Sequence, residues 1–261
     1  MGKIRIAYKF ICHALNAKNS KGYNIHSPYL FRFTQNTIYE KNPYYIFNRI
    51  ETLRENLRHD TRVISIRDFG TGKDRDVRIQ DIAKSSLKRP RLAQLLFRIV
   101  NFTQAKNVLE LGTSLGITTA YMASPSTKIK CISLEGSQAV AEIARENFEK
   151  LKVNNVKIKV GNIDDTLQPA LDELKEVDVV FFDANHRKEP VLKYFTQCLK
   201  HIHAETVFIF DDIYWSAEME KAWDIIRKHE QVTATMNLFE LGIVFFNKNF
   251  QKRNYKMMIS K

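Results

Sequence analysis

Two apolar runs of this chain end in acids. Phe181-Phe182-Asp183-Ala184-Asn185-His186 closes one, and Phe210-Asp211-Asp212 closes the next. If both runs are strands of an open α/β sheet, their carboxyl ends face the crevice where such sheets bind ligands. Three carboxylates converging there repel one another, and a hard divalent cation with oxygen ligands is the natural resolution. Asp183, Asp211 and Asp212 are therefore candidate ligands. For Asp211 and Asp212 the plainer alternative is capping of a helix that starts near Tyr214.

A second group lies upstream, in Val108-Leu109-Glu110-Leu111-Gly112-Thr113-Ser114-Leu115-Gly116-Ile117-Thr118. It reads as a strand, a glycine-rich turn and a helix start. Gly112 and Gly116 let the backbone turn and approach a ligand without steric cost. The helix N–H groups behind them can meet a carboxylate or phosphate. The next apolar run ends in Leu134-Glu135-Gly136, and an acid there is placed to accept both ribose hydroxyls of a bound nucleoside.

These groups need strands to aim them. Short, apolar, β-branched runs stand at Asn107–Leu111, Ile129–Leu134, Val156–Gly161, Val177–Asp183 and Thr206–Asp211, with amphipathic segments between. That alternation predicts βαβ crossovers and a mainly parallel sheet. Gln231–Leu238 and Gly242–Asn247 are separated only by Phe239, Glu240 and Leu241, which predicts an antiparallel hairpin. Upstream, residues 3–17 place Ile4, Ala7, Tyr8, Ile11 and Leu15 on one helical stripe. That stripe is expected to dock on the rest of the chain, a membrane-interface helix being the alternative. Ser27-Pro28 starts a second helix, and Pro43 to about Arg58 forms a third. Arg62–Arg67 alternates like a strand, Asp68–Asp76 reads as a loop, and helices follow near Ile79–Ser85 and from Pro90 to about Phe102. The division expected is a basic, mostly helical appendage over residues 1–77 and a ligand-binding domain over 78–261.

The motifs together resemble a known family. Glu110-x-Gly112-x-x-x-Gly116-x-Thr118, then Ile132-Ser-Leu-Glu135, then Val160-Gly-Asn162-Ile163-Asp164, are similar to the class I S-adenosylmethionine-dependent methyltransferases, and to the catechol O-methyltransferase-like branch within them. The likeness covers about residues 105–247 and implies a Rossmann-like fold with a mainly parallel seven-stranded sheet and a C-terminal antiparallel hairpin strand. It implies cofactor contacts at Glu110, Gly112, Thr113, Ser114, Gly116, Glu135, Gly136, Asn162, Ile163 and Asp183. Glu110 and Gly112 would lie near the methionine part, Glu135 would hold the ribose, and Asn162 to Asp164 would flank the adenine. In that branch an Asp at the first of the two strand ends, and an Asp followed by Asn at the second, bind magnesium. Here Asp212 replaces the Asn, which leaves the identity of the metal open. His186 falls at the position of a basic lysine in the branch, which implies a base for a substrate hydroxyl. Tyr214 and Trp215 are candidates for the pocket wall.

Composition narrows the partners. The 261 residues carry a net charge of +12. Residues 1–100 hold 20 Lys/Arg against 8 Asp/Glu, and the remainder 21 against 21, so the whole excess lies in the first part. Nucleic acid, an anionic membrane face or an acidic substrate are the partners such a segment suits, with a solvated appendage the preferred account. No apolar run approaches the roughly 18–20 residues that span a bilayer, no signal-peptide pattern opens the chain, and Cys12, Cys131 and Cys198 read as reduced thiols. A cytoplasmic protein is expected. The preferred function is methylation of a small-molecule hydroxyl. The rival readings are RNA methylation through the basic segment and a binding protein without turnover. A remote one is an α/β-hydrolase, because Gly112-Thr113-Ser114-Leu115-Gly116 fits a nucleophile elbow with Asp183 and His203 as partners.

Overall fold

A computed structural model describes residues 2–67 and 74–259. The chain divides into two compact units, one formed by Met1–Glu40 with Lys175–Lys261 and the other by Lys41–Leu174. In chain order, the first forty residues contribute helices α1 (Gly2–Asn16) and α2 (Pro28–Phe33), the latter running on into a π-helical turn over Thr34–Ile38. Ser27 caps α2, its hydroxyl accepting the Leu30 N–H, and Pro28 sits in the first turn, where its missing N–H costs nothing.

The unit Lys41–Leu174 opens with α3 (Tyr45–Arg58), two residues later than the proline at 43 suggests. Then come β1 (Val63–Arg67), β2 (Asp74–Arg78), α4 (Ile79–Ser86) and α5 (Pro90–Thr103). Its central part is β3 (Asn107–Leu111), α6 (Ile117–Ala123), β4 (Lys130–Glu135), α7 (Gln138–Leu151), β5 (Val156–Val160) and α8 (Ile163–Leu174). The expected loop over Asp68–Asp76 is corrected at its end: Asp74 to Asp76 belong to β2, which pairs antiparallel with β1. The sequence Asp-Arg-Asp-Val-Arg lacks the period-two apolar pattern, so the partner strand rather than local patterning fixes it as extended. Positions 68–73 lie outside the described residues. β3, β4 and β5 pair in parallel, with Glu110 opposite Ser133 and Glu135 opposite Val160. The helices bury Ile50, Ile79, Leu96, Ile99, Ala120 and Ala144.

Lys175–Lys261 contributes β6 (Val177–Phe182), α9 (Lys188–Cys198), β7 (Ile202–Asp211), α10 (Ala217–Ile226), β8 (Ala234–Asn237), β9 (Leu241–Phe245) and β10 (Arg253–Lys256). Their spatial order is β10-β8-β9-β7-β6. β6 and β7 are parallel, β9 is antiparallel to both β7 and β8, and the hairpin closes with Asn237 opposite Gly242, as expected. A Cβ on Gly242 would come within 2.5 Å of the Trp223 ring, so glycine there is what lets that buried indole lie against the hairpin. With β3, β4 and β5, these strands number eight among the described residues where seven were expected. The addition is β10, parallel to β8.

The N-terminal helix departs from expectation in orientation. α1 does dock on its own unit, through Arg5 and Lys9 to Glu220, the buried His13 ring to the Met257 carbonyl, and Phe10 edge-on to Phe239. The stripe expected to dock is the one left outside: Ile4, Ala7, Tyr8, Ile11 and Leu15 are exposed. The boundary expected at residue 77 coincides with no boundary of the compact units. Residues up to 40 pack with the C-terminal strands, while α3 packs with α4 and α6 through Ile46, Phe47, Ile50 and Leu53.

Candidate functional site

In the unit Lys41–Leu174 the turn after β3 is held by backbone geometry that the sequence makes available. Gly112 and Gly116 have φ of 107° and 78°, and Ser114 between them also adopts a left-handed φ of 49°. The N–H groups of Gly112 and Thr113 both donate to the Leu134 carbonyl, tying the turn to the end of β4. A Cβ at Gly116 would fall 2.7 Å from the Phe148 ring, so α7 packs closely there only because residue 116 has no side chain.

Glu110 and Glu135 do different work. Glu110 is fully buried at 0% exposure. Its carboxylate accepts from Thr118 Oγ1 at 2.8 Å, from Ser133 Oγ at 2.6 Å and from Thr119 Oγ1. Burial pushes its pKa up to about 7, against the pull of the three hydroxyls. Through these hydroxyls it ties the end of β3 to the first turn of α6 and to β4. Glu135 stands at the tip of β4 and accepts the N–H of Ser114 at 2.8 Å and of Ser137 at 2.9 Å. Burial raises its pKa while those N–H groups favour the charged form. Beside it lies a cavity of about 370 Å³ lined by Ser114, Glu135, Ser137, Ser86, Asp81 and Arg75 among others. A second, of about 360 Å³, is lined by Gly136, Ser137, Val160 and Gly161 with Ser65. Glu135 is thus the acid with an open side, and Glu110 the one without.

The remaining residues of the cofactor set are placed as follows. Thr113 is buried, its hydroxyl 2.5 Å from Ser133 Oγ. Asn162 is exposed at the start of α8, and its Oδ1 accepts the Asp164 N–H. Ile163 is buried. Thr118 and Ser133 stand in the motifs quoted from the sequence, but neither they nor Thr119 was given a role there. The signal available was a pair of hydroxyls directly after the glycine turn and a serine in register with Glu110 on the neighbouring strand.

In the unit formed with Lys175–Lys261, β6 and β7 run parallel and end at Phe182 and Asp211, which brings Asp183 and Asp211 together. One ligand atom each of Asp183, His186 and Asp211 lies within 4.8 Å of the others. Asp211 is buried, and the other two are partly exposed. His186 Nε2 stands 3.7 Å from Asp183 Oδ1. The chain reaches His186 through Asn185, whose φ is 48° and whose side-chain amide donates to the Tyr194 hydroxyl. Asp212, expected in this set, stands outside the cluster with a left-handed φ of 52°. Helix capping is not its role either. α10 starts at Ala217, three residues beyond Tyr214, and Ser216 caps it by accepting the Met219 N–H.

The hydrolase alternative loses its partners. His203 Nε2 bonds Asp178 Oδ1 at 2.8 Å and its Nδ1 accepts the Glu205 N–H, so both ring nitrogens are engaged. The Ser114 hydroxyl is 3.0 Å from that of Ser86.

A parallel α/β arrangement with a glycine turn after one strand, an acid at the tip of the next and an antiparallel terminal hairpin defines the Rossmann-like fold of the class I methyltransferases. Comparison with known proteins agrees. Residues 109–213 match the family model described as a methyltransferase domain. Over 127 residues the chain is 31% identical to the catechol O-methyltransferase of Niastella koreensis, a match that spans 48% of this chain and 57% of that protein. Among solved structures, the O-methyltransferase from Bacillus cereus, in complex with SAH, superposes with a TM-score of 0.56 at 19% identity, covering 82% of this chain and 96% of that one. TomG, an O-methyltransferase from Streptomyces achromogenes in complex with SAM, gives 0.58 at 17% identity, covering 83% and 97%. Residues 109–213 are thus similar to a methyltransferase domain, and the chain has the fold of these O-methyltransferases.

Proposed function

We propose that this chain is an S-adenosylmethionine-dependent O-methyltransferase that acts on a small-molecule hydroxyl with the help of a divalent cation. The observation that carries this reading is the cluster of Asp183, His186 and Asp211. The likeness to a catechol O-methyltransferase and the cofactor held by two solved relatives support it.

The donor atoms fit an ion. Ligands of one magnesium or first-row ion at about 2.0–2.2 Å stand no farther apart than about twice that length, so small side-chain rotations close a set that already lies within 4.8 Å. An imidazole nitrogen beside two carboxylates widens the choice from magnesium to manganese or zinc. When bound, such an ion supplies positive charge that lowers the pKa of a coordinated hydroxyl. Asp183, Asp211 and His186 would hold it, and Asp212 is then a charged neighbour rather than a ligand.

The protein's own contribution is placement. Glu135 receives the ribose hydroxyls of S-adenosylmethionine, with its orientation fixed by the Ser114 and Ser137 N–H groups. Glu110 fixes the turn through Thr118, Thr119 and Ser133. Asn162 and Ile163 border the adenine. In the transfer, the acceptor oxygen bonds to the methyl carbon as the carbon–sulfur bond breaks, the electron pair stays on sulfur, and the hydroxyl proton is lost. With His186 on the ion, that proton passes to water. The base role expected of His186 belongs only to a site in which the two carboxylates alone hold the ion. The exposed Trp215, close in sequence to Asp211, offers a flat apolar wall for the acceptor.

Titration of the purified chain with MnCl2, followed by calorimetry, tests the site. One ion per chain is expected, with Asp183→Asn and Asp211→Asn each weakening binding by at least about tenfold, the scale of a lost charged ligand. Unchanged manganese binding in both folded variants would remove the cation from the mechanism.

A further inference from the structure

Two cations of α1, Arg5 and Lys9, lie on its docked side and turn to Glu220. His13 is buried against the Met257 carbonyl, and Phe10 meets Phe239 edge-on while staying 44% exposed. The opposite side is apolar and open: Ile4 is 81% exposed, Tyr8 65%, Ile11 58% and Leu15 77%. Ala7 and Ala14 between them are exposed as well. A surface helix ordinarily presents these faces the other way round. Five of the eleven large apolar side chains exposed among the described residues, Ile4, Tyr8, Phe10, Ile11 and Leu15, belong to this one helix, so exposed apolar surface is gathered on it. A gathered apolar patch of this kind marks an interaction site.

Charge decides what covers it. Residues 1–39 contain Lys3, Arg5, Lys9, Lys18, Lys21 and Arg32 and not one Asp or Glu. Lys18 and Lys21 are exposed just beyond the helix. Two copies meeting through this face would bring cationic flanks together with no acid in the segment to pair them. Nucleic acid would meet a stripe in which only Tyr8 can stack or donate, the aliphatic Ile4, Ile11 and Leu15 offering it no bond. An anionic bilayer satisfies both features, taking the apolar stripe among its acyl chains and the lysines at its phosphates. Tyr8 has the apolar body and polar tip that such an interface favours. We infer that α1 docks the chain on the surface of an anionic phospholipid membrane, lying in the plane of the interface. No helix among the described residues is long and apolar enough to cross it.

Vesicle flotation tests this with the full chain. One set of vesicles is phosphatidylcholine mixed with phosphatidylglycerol, the other phosphatidylcholine alone. The wild type should float with the anionic vesicles and at least about tenfold less with the neutral ones. The double variant Ile4→Asp/Ile11→Asp changes only outward side chains, so its melting temperature should stay at that of the wild type while flotation falls at least about tenfold. Three results would overturn the inference. One is a folded wild type that floats with neither vesicle. Another is flotation that the double variant retains. The third is a dimer in sedimentation equilibrium that the double variant dissolves, which would assign the face to a second copy. A tRNA gel-shift is the control for the basic segment, and tRNA binding that abolishes flotation while surviving in the double variant would also count against the membrane.

Discussion

Two places on this chain are built around carboxylates, and they are built in opposite ways. Glu110 is sealed, carries three hydroxyl donors and sits in a turn tied by backbone bonds to the next strand. Asp183, His186 and Asp211 are gathered but not closed, with donor atoms spread over as much as 4.8 Å. The first arrangement needs no ligand to be complete. The second has the form of a donor set that a cation draws together. Burial alone does not separate the two: Glu110 and Asp211 are 0% and 1% exposed. The difference is that Glu110 commits its carboxylate to three hydroxyls, while Asp211 lies beside the partly exposed Asp183 and His186.

The largest effect should come from breaking the open cluster. Asp183→Asn should lower methyl transfer by about 10²–10³-fold, the scale of removing one electrostatic stabiliser from a site. Affinity for S-adenosylmethionine should change little. Labelled-methyl kinetics beside calorimetry would show this, and a parallel loss of cofactor affinity would mean that Asp183 belongs to the cofactor contacts instead.

The sealed acid should reveal itself through pH rather than turnover. The folded pKa of Glu110, about 7, lies above its ordinary value of 4.5, so the folded chain binds that proton more tightly than the unfolded chain does. The stability it contributes is fully present below about pH 4.5 and is lost as pH rises through 7. The loss is on the order of 3 kcal/mol. Denaturant unfolding at pH 5 and pH 8 should show the wild type weakening over this window and Glu110→Gln weakening less. Equal losses in the two would refute the burial argument.

The smallest of the three effects concerns Glu135. Glu135→Ala should weaken S-adenosylmethionine binding by about 1.5–3 kcal/mol, the worth of hydrogen bonds to a charged group, in a chain that still folds. Unaltered affinity in the folded variant would take the ribose from Glu135.

How much of this could be read beforehand depended on how local the signal was. The strand, glycine turn and helix around Glu110 and the acid at Glu135 were legible because β-branched runs and paired glycines punctuate the chain within a few residues. The approach of Asp183 and Asp211 was legible because parallel neighbours end at one edge. The place of His186 in that cluster was not, since it depends on Asn185 turning the chain in a left-handed conformation, and Asp212 leaves the set through the same kind of residue. β2 carries no apolar alternation and is extended because β1 pairs with it. The facing of α1 was hidden because the docked side is marked by Arg5, Lys9 and the buried His13 rather than by an apolar stripe, while Ile4, Tyr8, Ile11 and Leu15 face outward. Periodicity locates stripes, and only tertiary contacts decide which one is buried.

The account rests on a cation held by Asp183, His186 and Asp211 during methyl transfer from S-adenosylmethionine to a hydroxyl. The most direct test is labelled methyl transfer to a panel of small hydroxyl acceptors, catechols included. It would be run on chelator-treated protein and again after adding magnesium, manganese or zinc. The account predicts transfer to oxygen that chelation abolishes and one of these ions restores, with no restoration in Asp211→Asn. Transfer that proceeds at full rate in the chelator, or that is equally fast in Asp211→Asn, would contradict it.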